Sequence, residues 1–153
     1  MMAIEASISS YKKSRLKMFI VACLVLAAWC VYDGYFNEKW IEEHTDIDGS
    51  PKTYLVFNRR APYYLVCGAV FLGIYLASIV GKKVVADEEG LTVDGKEIKY
   101  TSITKLDKTY FSSKGYFVLT YKTAEGGENV KKISDLKYDN LTPILDHIVS
   151  KIS

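Results

Sequence analysis

The chain is poor in the side chains from which chemical sites are built. It has two histidines, His44 and His147, and three cysteines, Cys23, Cys30 and Cys67, in 153 residues. All three cysteines lie in apolar runs at no metal-ligand spacing, so they form neither a zinc cluster nor a disulfide framework and read as small apolar residues. A glycine-rich phosphate loop is lacking too, because Gly126-Gly127 sits in the polar turn "AEGGEN" and opens no helix. Arginine stops at Arg60. From Lys82 onward there are twelve lysines against eleven Asp or Glu, with the signs interleaved. That balance argues against the clustered guanidinium groups of a phosphoinositide site. No patch joins basic clustering to exposed aromatics, which argues against nucleic acid. Ser112-Ser113-Lys114 is a run of neighbours in a loop, and adjacent residues give no fixed base geometry. His147 is expected on the solvent side of a helix. The sequence therefore predicts no enzyme, no cofactor, no metal and no small-molecule substrate.

What is present is concentrated apolar character. "MFIVACLVLAAWCVY" (18–32) has no charge, and with Leu16 and residues 34–36 it supplies about 21 residues, enough to cross about 30 Å of hydrocarbon. "APYYLVCGAVFLGIYLASIVG" (61–81) spans unaided, with Pro62 expected in a first helical turn. Aromatics near the ends of both runs, among them Trp29, Tyr32, Tyr35, Phe36, Tyr63 and Tyr64, fit an interfacial belt. "IVAC" (20–23) resembles a lipobox. Only five apolar residues precede Cys23, however, where a signal core needs about 7 to 15, so the first helix is expected to stay in the chain. Gly73, Ala77 and Gly81 recur every fourth residue and predict a small-residue packing face, for the first helix, a second copy or another subunit.

Lys12, Lys13, Arg15 and Lys17 precede the first run, and Lys82, Lys83, Lys96 and Lys99 follow the second. Between them stand Lys39, Lys52, Arg59 and Arg60. The excess predicts both termini in the cytoplasm, although Arg59-Arg60 pulls the other way. The connection 37–60 contains "HTDIDGSPKTYL". Set as a calcium loop with Gly49 sixth, it places His44 first, Lys52 ninth and Leu55 last, so both end carboxylates are missing and a lysine enters the cage. A turn over 46–51 is the better reading, between a helical extension at 38–44 and a strand-like or interfacial run "TYLVF" at 53–57.

Beyond Lys82 the pattern becomes short strands: "KVVA" (83–86), "LTV" (91–93), "KEIKY" (96–100), "ITKLD" (103–107), "YFVLTY" (116–121) and "NVKKIS" (129–134). Asp94-Gly95 is a two-residue hairpin signal. Leu141, Ile144, Leu145, Ile148, Val149 and Ile152 then form one helical stripe, capped by Asp139, Asn140 or Thr142. "ADEEGLTVDGKEIKYTSITKLDK" (86–108) resembles bacterial pleckstrin-homology-like (PH-like) domains, and with two helices in front the chain is similar to small two-pass bacterial membrane proteins carrying such a domain. The resemblance implies a membrane α + β fold: a basic segment 1–17, transmembrane helices 18–36 and 61–81, an extracytoplasmic loop 37–60, and a PH-like β-barrel or sandwich 82–153 closed by a C-terminal helix. It implies a two-pass protein of the inner (cytoplasmic) membrane. The expected role is a non-enzymatic docking or assembly module, an accessory subunit beside a membrane-protein partner or a homo-oligomer. Lys82 and Lys83 are candidates for contact with anionic membrane lipid. The competing expectation is a ligand or ion sensor acting through 37–60.

Overall fold

A computed structural model describes residues 3–153. The chain divides into two compact units, 14–77 and a second built from 1–13 together with 78–153.

The first unit is helical. Helix α1, Ser10–Val31, runs into a π-helical turn, Tyr32–Phe36; α2, Glu38–Glu43, follows, and then the long α3, Thr53–Val80. The spans 10–36 and 53–80 contain 18-residue stretches with mean hydropathies of 1.9 and 2.0 and are long and apolar enough to cross a membrane. Most of their large side chains, Phe19, Leu24, Trp29, Phe71 and Ile74 among them, face outward. Buried side chains are few: Ala27 on α1 and Leu55, Ala61, Pro62, Ala69 and Ile79 on α3. The helices touch near the loop. Pro62 has no N–H to offer the Asn58 carbonyl one turn back, and a β-carbon added at Gly34 would come within 3.3 Å of that carbonyl and of Arg59 Cγ. Glycine allows the close approach. Asp33, also buried, accepts a hydrogen bond from Asn37 Nδ2 at 2.9 Å.

The connection departs from its sequence reading at one place. "TYLVF" is the start of α3, so Pro62 lies well inside the helix instead of in its first turn. Thr, Val and the aromatics suit a strand by local preference. Here the apolar run simply continues a helix, as membrane-length segments do when every backbone group must bond within the segment. The turn itself forms as expected: Asp46 N–H donates to Ser50 O at 2.8 Å and Gly49 takes φ 84°.

The second unit carries two antiparallel sheets. Strands β1 (Ile4–Ser7), β2 (Lys83–Ala86), β3 (Gly90–Val93) and β4 (Lys96–Lys99) form one in that order. Strands β5 (Ile103–Asp107), β6 (Tyr116–Lys122) and β7 (Glu128–Ser134) form the other, with the one-turn α4 (Phe111–Lys114) before β6. Alternate residues point inward, as a pleated strand requires: Ala6, Val84, Ala86, Leu91, Val93, Ile98, Phe117, Leu119 and Ile133 are buried. Helix α5, Leu141–Ile152, lays Leu141, Ile144, Leu145 and Ile148 into this core against β1 and β2.

β1 is the element that the sequence did not announce. It comes before α1, yet it pairs with β2, which follows α3, in the register Ile4↔Ala86 to Ser7↔Lys83. The helical segment is thus inserted between two neighbouring strands of one sheet.

Candidate functional site

The residues singled out by pattern are mostly committed to structure. His44 stacks on Trp40 with ring centroids 3.7 Å apart, and its Nδ1 lies 2.8 Å from the Trp40 carbonyl. Asp48 accepts from Ser50 N–H and Oγ–H, which holds its carboxyl below the usual range. No group of three His, Cys, Asp or Glu gathers as a metal site among the described residues. His147 is half-buried instead of solvent-facing: its Nε2 donates to the Asp87 carbonyl at 2.9 Å, and the Tyr100 hydroxyl donates to the same oxygen at 3.0 Å. That contact clips the β2–β3 turn to α5. Ser112-Ser113-Lys114 lies in α4, which Gly115 closes in the left-handed region. Gly73 is half-buried, while Ala77 and Gly81 are exposed; a β-carbon at either glycine would meet nothing within 4 Å. Lys82 is exposed, and Lys83 pairs with Glu5 across β1 and β2 at 2.7 Å. Of the basic pair at 131–132, Lys132 lies 3.7 Å over the Tyr116 ring.

The capping expectation also moves. Asn140 precedes α5 with φ 59° and makes no side-chain cap. Asp139 turns instead to the start of α1, where Oδ2 accepts from Ser10 N–H at 2.8 Å and from Ser10 Oγ–H at 2.6 Å. A carboxylate there satisfies one free donor and faces the positive end of the helix dipole.

A second long-range polar group holds the hairpin. Asp94 and Gly95 take φ 52° and 87°, the left-handed pair of a type I′ turn. The Asp94 carboxylate accepts from Lys137 Nζ and from the Tyr138 hydroxyl, both at 2.6 Å. Partial burial pushes Asp94 up, but these two bonds outweigh it and hold the carboxyl below its ordinary value. Burial, followed by the Asp94 bond, pushes Tyr138 up to about 12.

These contacts leave one sheet edge with space beside it. The outer side of β1 is covered, since Ser7 O accepts from Asp139 N–H and Ser9 N–H donates to Lys137 O, both at 2.9 Å. β4 closes the other side of that sheet and, among the described residues, has no strand next to it. Along it runs an open groove of about 650 Å³, with residues 96–99 on one wall, Thr101 and Ser102 at the corner, and residues 121–124 with Asn129 opposite. Around a two-residue turn, Lys96 and Ile98 direct their backbone N–H and C=O groups to β3, and Tyr100 N–H continues this by donating to Glu89 O. The same alternation directs both backbone groups of Glu97 and the N–H of Lys99 into the groove, while the Lys99 carbonyl accepts from Ser102 Oγ–H at 2.7 Å. Lys96, Lys99 and Lys122 line it against the single carboxylate of Glu97, and none of the three ammonium groups is ion-paired among the described residues. The groove holds no acid–base pair. It offers the outward backbone groups of Glu97, the Lys99 N–H and positive charge.

No protein-family model, curated protein or solved structure matches this chain.

Proposed function

We propose that the chain is a two-pass protein of a cytoplasmic membrane that holds a PH-like domain on the cytoplasmic side as a docking module, and that β4 receives an extended acidic segment of a membrane-protein partner. The observation that carries this reading is the pairing of β1 with β2 around the inserted helices. A domain tied at both ends of a helical pair is held at the membrane, and both ends of that pair lie on its side. The four-plus-three sheets and the closing helix support the PH-like assignment.

Magnitudes favour an anchored docking role over free binding. A strand added to β4 gains two or three backbone bonds of about 1 kcal/mol each and exposed lysine–carboxylate pairs worth about 0.2 to 1 kcal/mol each. Association itself costs about 4 to 15 kcal/mol. The edge alone is weak, and confinement of both partners to one membrane raises the effective concentration to where it suffices. Gly73, half-buried, with Ala77 and Gly81, exposed, are the face we assign to the partner's helix or to a second copy.

Lys99 has φ −69° and ψ 140°, so proline fits there while removing the outward N–H. A photo-crosslinker at Glu97 in native membranes should label an extended acidic segment of a membrane protein. Lys99→Pro should abolish the label, and Lys99→Gln should reduce it. Labelling unchanged in Lys99→Pro, or confined to a second copy of the chain, overturns the heterotypic docking reading.

A further inference from the structure

At the loop end of the helical unit a cleft of about 560 Å³ lies between the end of the first span and α3. Val31, Phe36, Pro62 and Val66 make apolar walls, and Arg59 is its one charged lining residue. The guanidinium is held in place. Nε donates to the Gly34 carbonyl at 3.0 Å, one of the carbonyls that the last turn of a helix leaves without an internal partner, and Cζ stands 5.6 Å from the Tyr35 ring. That leaves the four Nη donors. Among the described residues no carboxylate pairs with Arg59, and the nearby Asp33 is bonded to Asn37.

We infer that this cleft is a phospholipid site, in which Arg59 takes the lipid phosphate and the apolar walls take the upper part of an acyl chain. The inference rests on the membrane-spanning half of the function proposed above and is independent of docking at β4. Arginine stays charged at any physiological pH, so a half-buried unpaired guanidinium calls for an anion. Gly34 stands just past Asp33, the residue that ends the uncharged run 18–32, which places Arg59 at the hydrocarbon boundary, among the aromatics of the interfacial belt. A molecule that presents an anion and an apolar tail together at that depth is a phospholipid. The planar guanidinium suits phosphate because it can bond two oxygens at once.

The test uses the full chain, stripped of lipid by detergent exchange. Thermal unfolding is followed with phosphatidylglycerol in mixed micelles, with diacylglycerol of the same chains, and with inorganic phosphate alone. Phosphatidylglycerol should raise Tm, and the other two should leave it unchanged. The rise should vanish in Arg59→Gln, survive in part in Arg59→Lys, and persist in Arg60→Gln. Native mass spectrometry gives a second readout: Val66→Trp, which fills the cleft and keeps the charge, should lose the retained lipid. An equal rise with diacylglycerol, an equal rise in Arg59→Gln, or a rise with phosphate alone overturns the site. Alkaline carbonate washing separates the two failures. A chain released from the membrane fails the spanning reading, whereas a retained chain without an Arg59-dependent rise fails the lipid site alone.

Discussion

Asp94 does two jobs with one carboxylate. It starts a left-handed turn, and it ties that turn to Lys137 and Tyr138 more than forty positions away. Asp94→Ala leaves a half-buried ammonium and a buried hydroxyl without their acceptor, at about 1 to 3 kcal/mol, and should lower the Tm of the β unit by about 10 °C. Asp94→Asn retains the turn and an acceptor for Tyr138 and should cost less; equal losses in the two variants would reduce the carboxylate to a turn residue. Two tyrosines set an alkaline limit. Burial pushes Tyr138 up to about 12, as does burial at Tyr100, aided by the charges of Asp87 and Glu88. The unfolded chain releases both protons near 10.0 and the folded chain near 12, so their contribution is complete below the lower value and disappears as pH rises through the window. Urea midpoints should therefore fall steeply between about pH 10 and pH 12, and the fall should be shallower in Tyr138→Phe. The turn was readable from Asp94-Gly95, because a two-residue hairpin is local. Its partners were not, because nothing near Lys137 records that Asp94 will lie beside it.

At the scale of elements, local pattern served well where periodicity was uninterrupted. "KVVA" and "ITKLD" are β2 and β5 to the residue, and of the six-residue stripe Leu141, Ile144, Leu145 and Ile148 are the buried face of α5, while Val149 is half-buried and Ile152 exposed. The strand-like reading of "TYLVF" failed because its composition favours a strand while its continuation demands a helix, and Pro62, which reads as a helix start, lies in mid-helix one turn after Asn58, which packs against Gly34. The β4 groove was invisible for another reason: which strand lies at an edge is a property of the assembled sheet. Two helix substitutions separate internal from external packing. Gly34→Val should clash with Asn58 and Arg59 and lower thermal stability in detergent for the isolated chain. Ala77→Leu, at an exposed position, should leave the isolated chain's stability unchanged and weaken retention of a helical partner. A loss of intrinsic stability in Ala77→Leu would place the small-residue face inside the chain.

For the whole molecule the decisive arrangement is the split sheet. Four residues, "IEAS", carry no turn signal and too little alternation to be read as a strand, and their partner lies beyond two long helices. Ala6 and Ile8 are nonetheless fully buried, so the β unit lacks part of its core without them. A fragment 82–153 alone should aggregate through the bare edge of β2. Joining residues 3–9 to 82–153 by a linker of about four residues, a length typical of hairpin connections, should yield a soluble monomer with cooperative unfolding. A cooperative, monomeric 82–153 would show β1 to be dispensable.

On the two-pass reading proposed above, the same split sheet makes domain folding a check on membrane topology. β1 leaves the ribosome before the helices and must wait, unpaired, until both helices and β2 have been made, several seconds at about 5 to 20 residues per second. Its partner arrives on the same side only if the chain has crossed the bilayer an even number of times. A chain in which one helix fails to insert strands Ile4–Ser7 and Lys83–Ala86 in different compartments, and the sheet then cannot close. That misinserted chain displays an open β2 edge and an unfilled core, the features by which quality-control proteases recognise a substrate. Correct insertion and completed folding are thereby reported by one event, the meeting of β1 and β2.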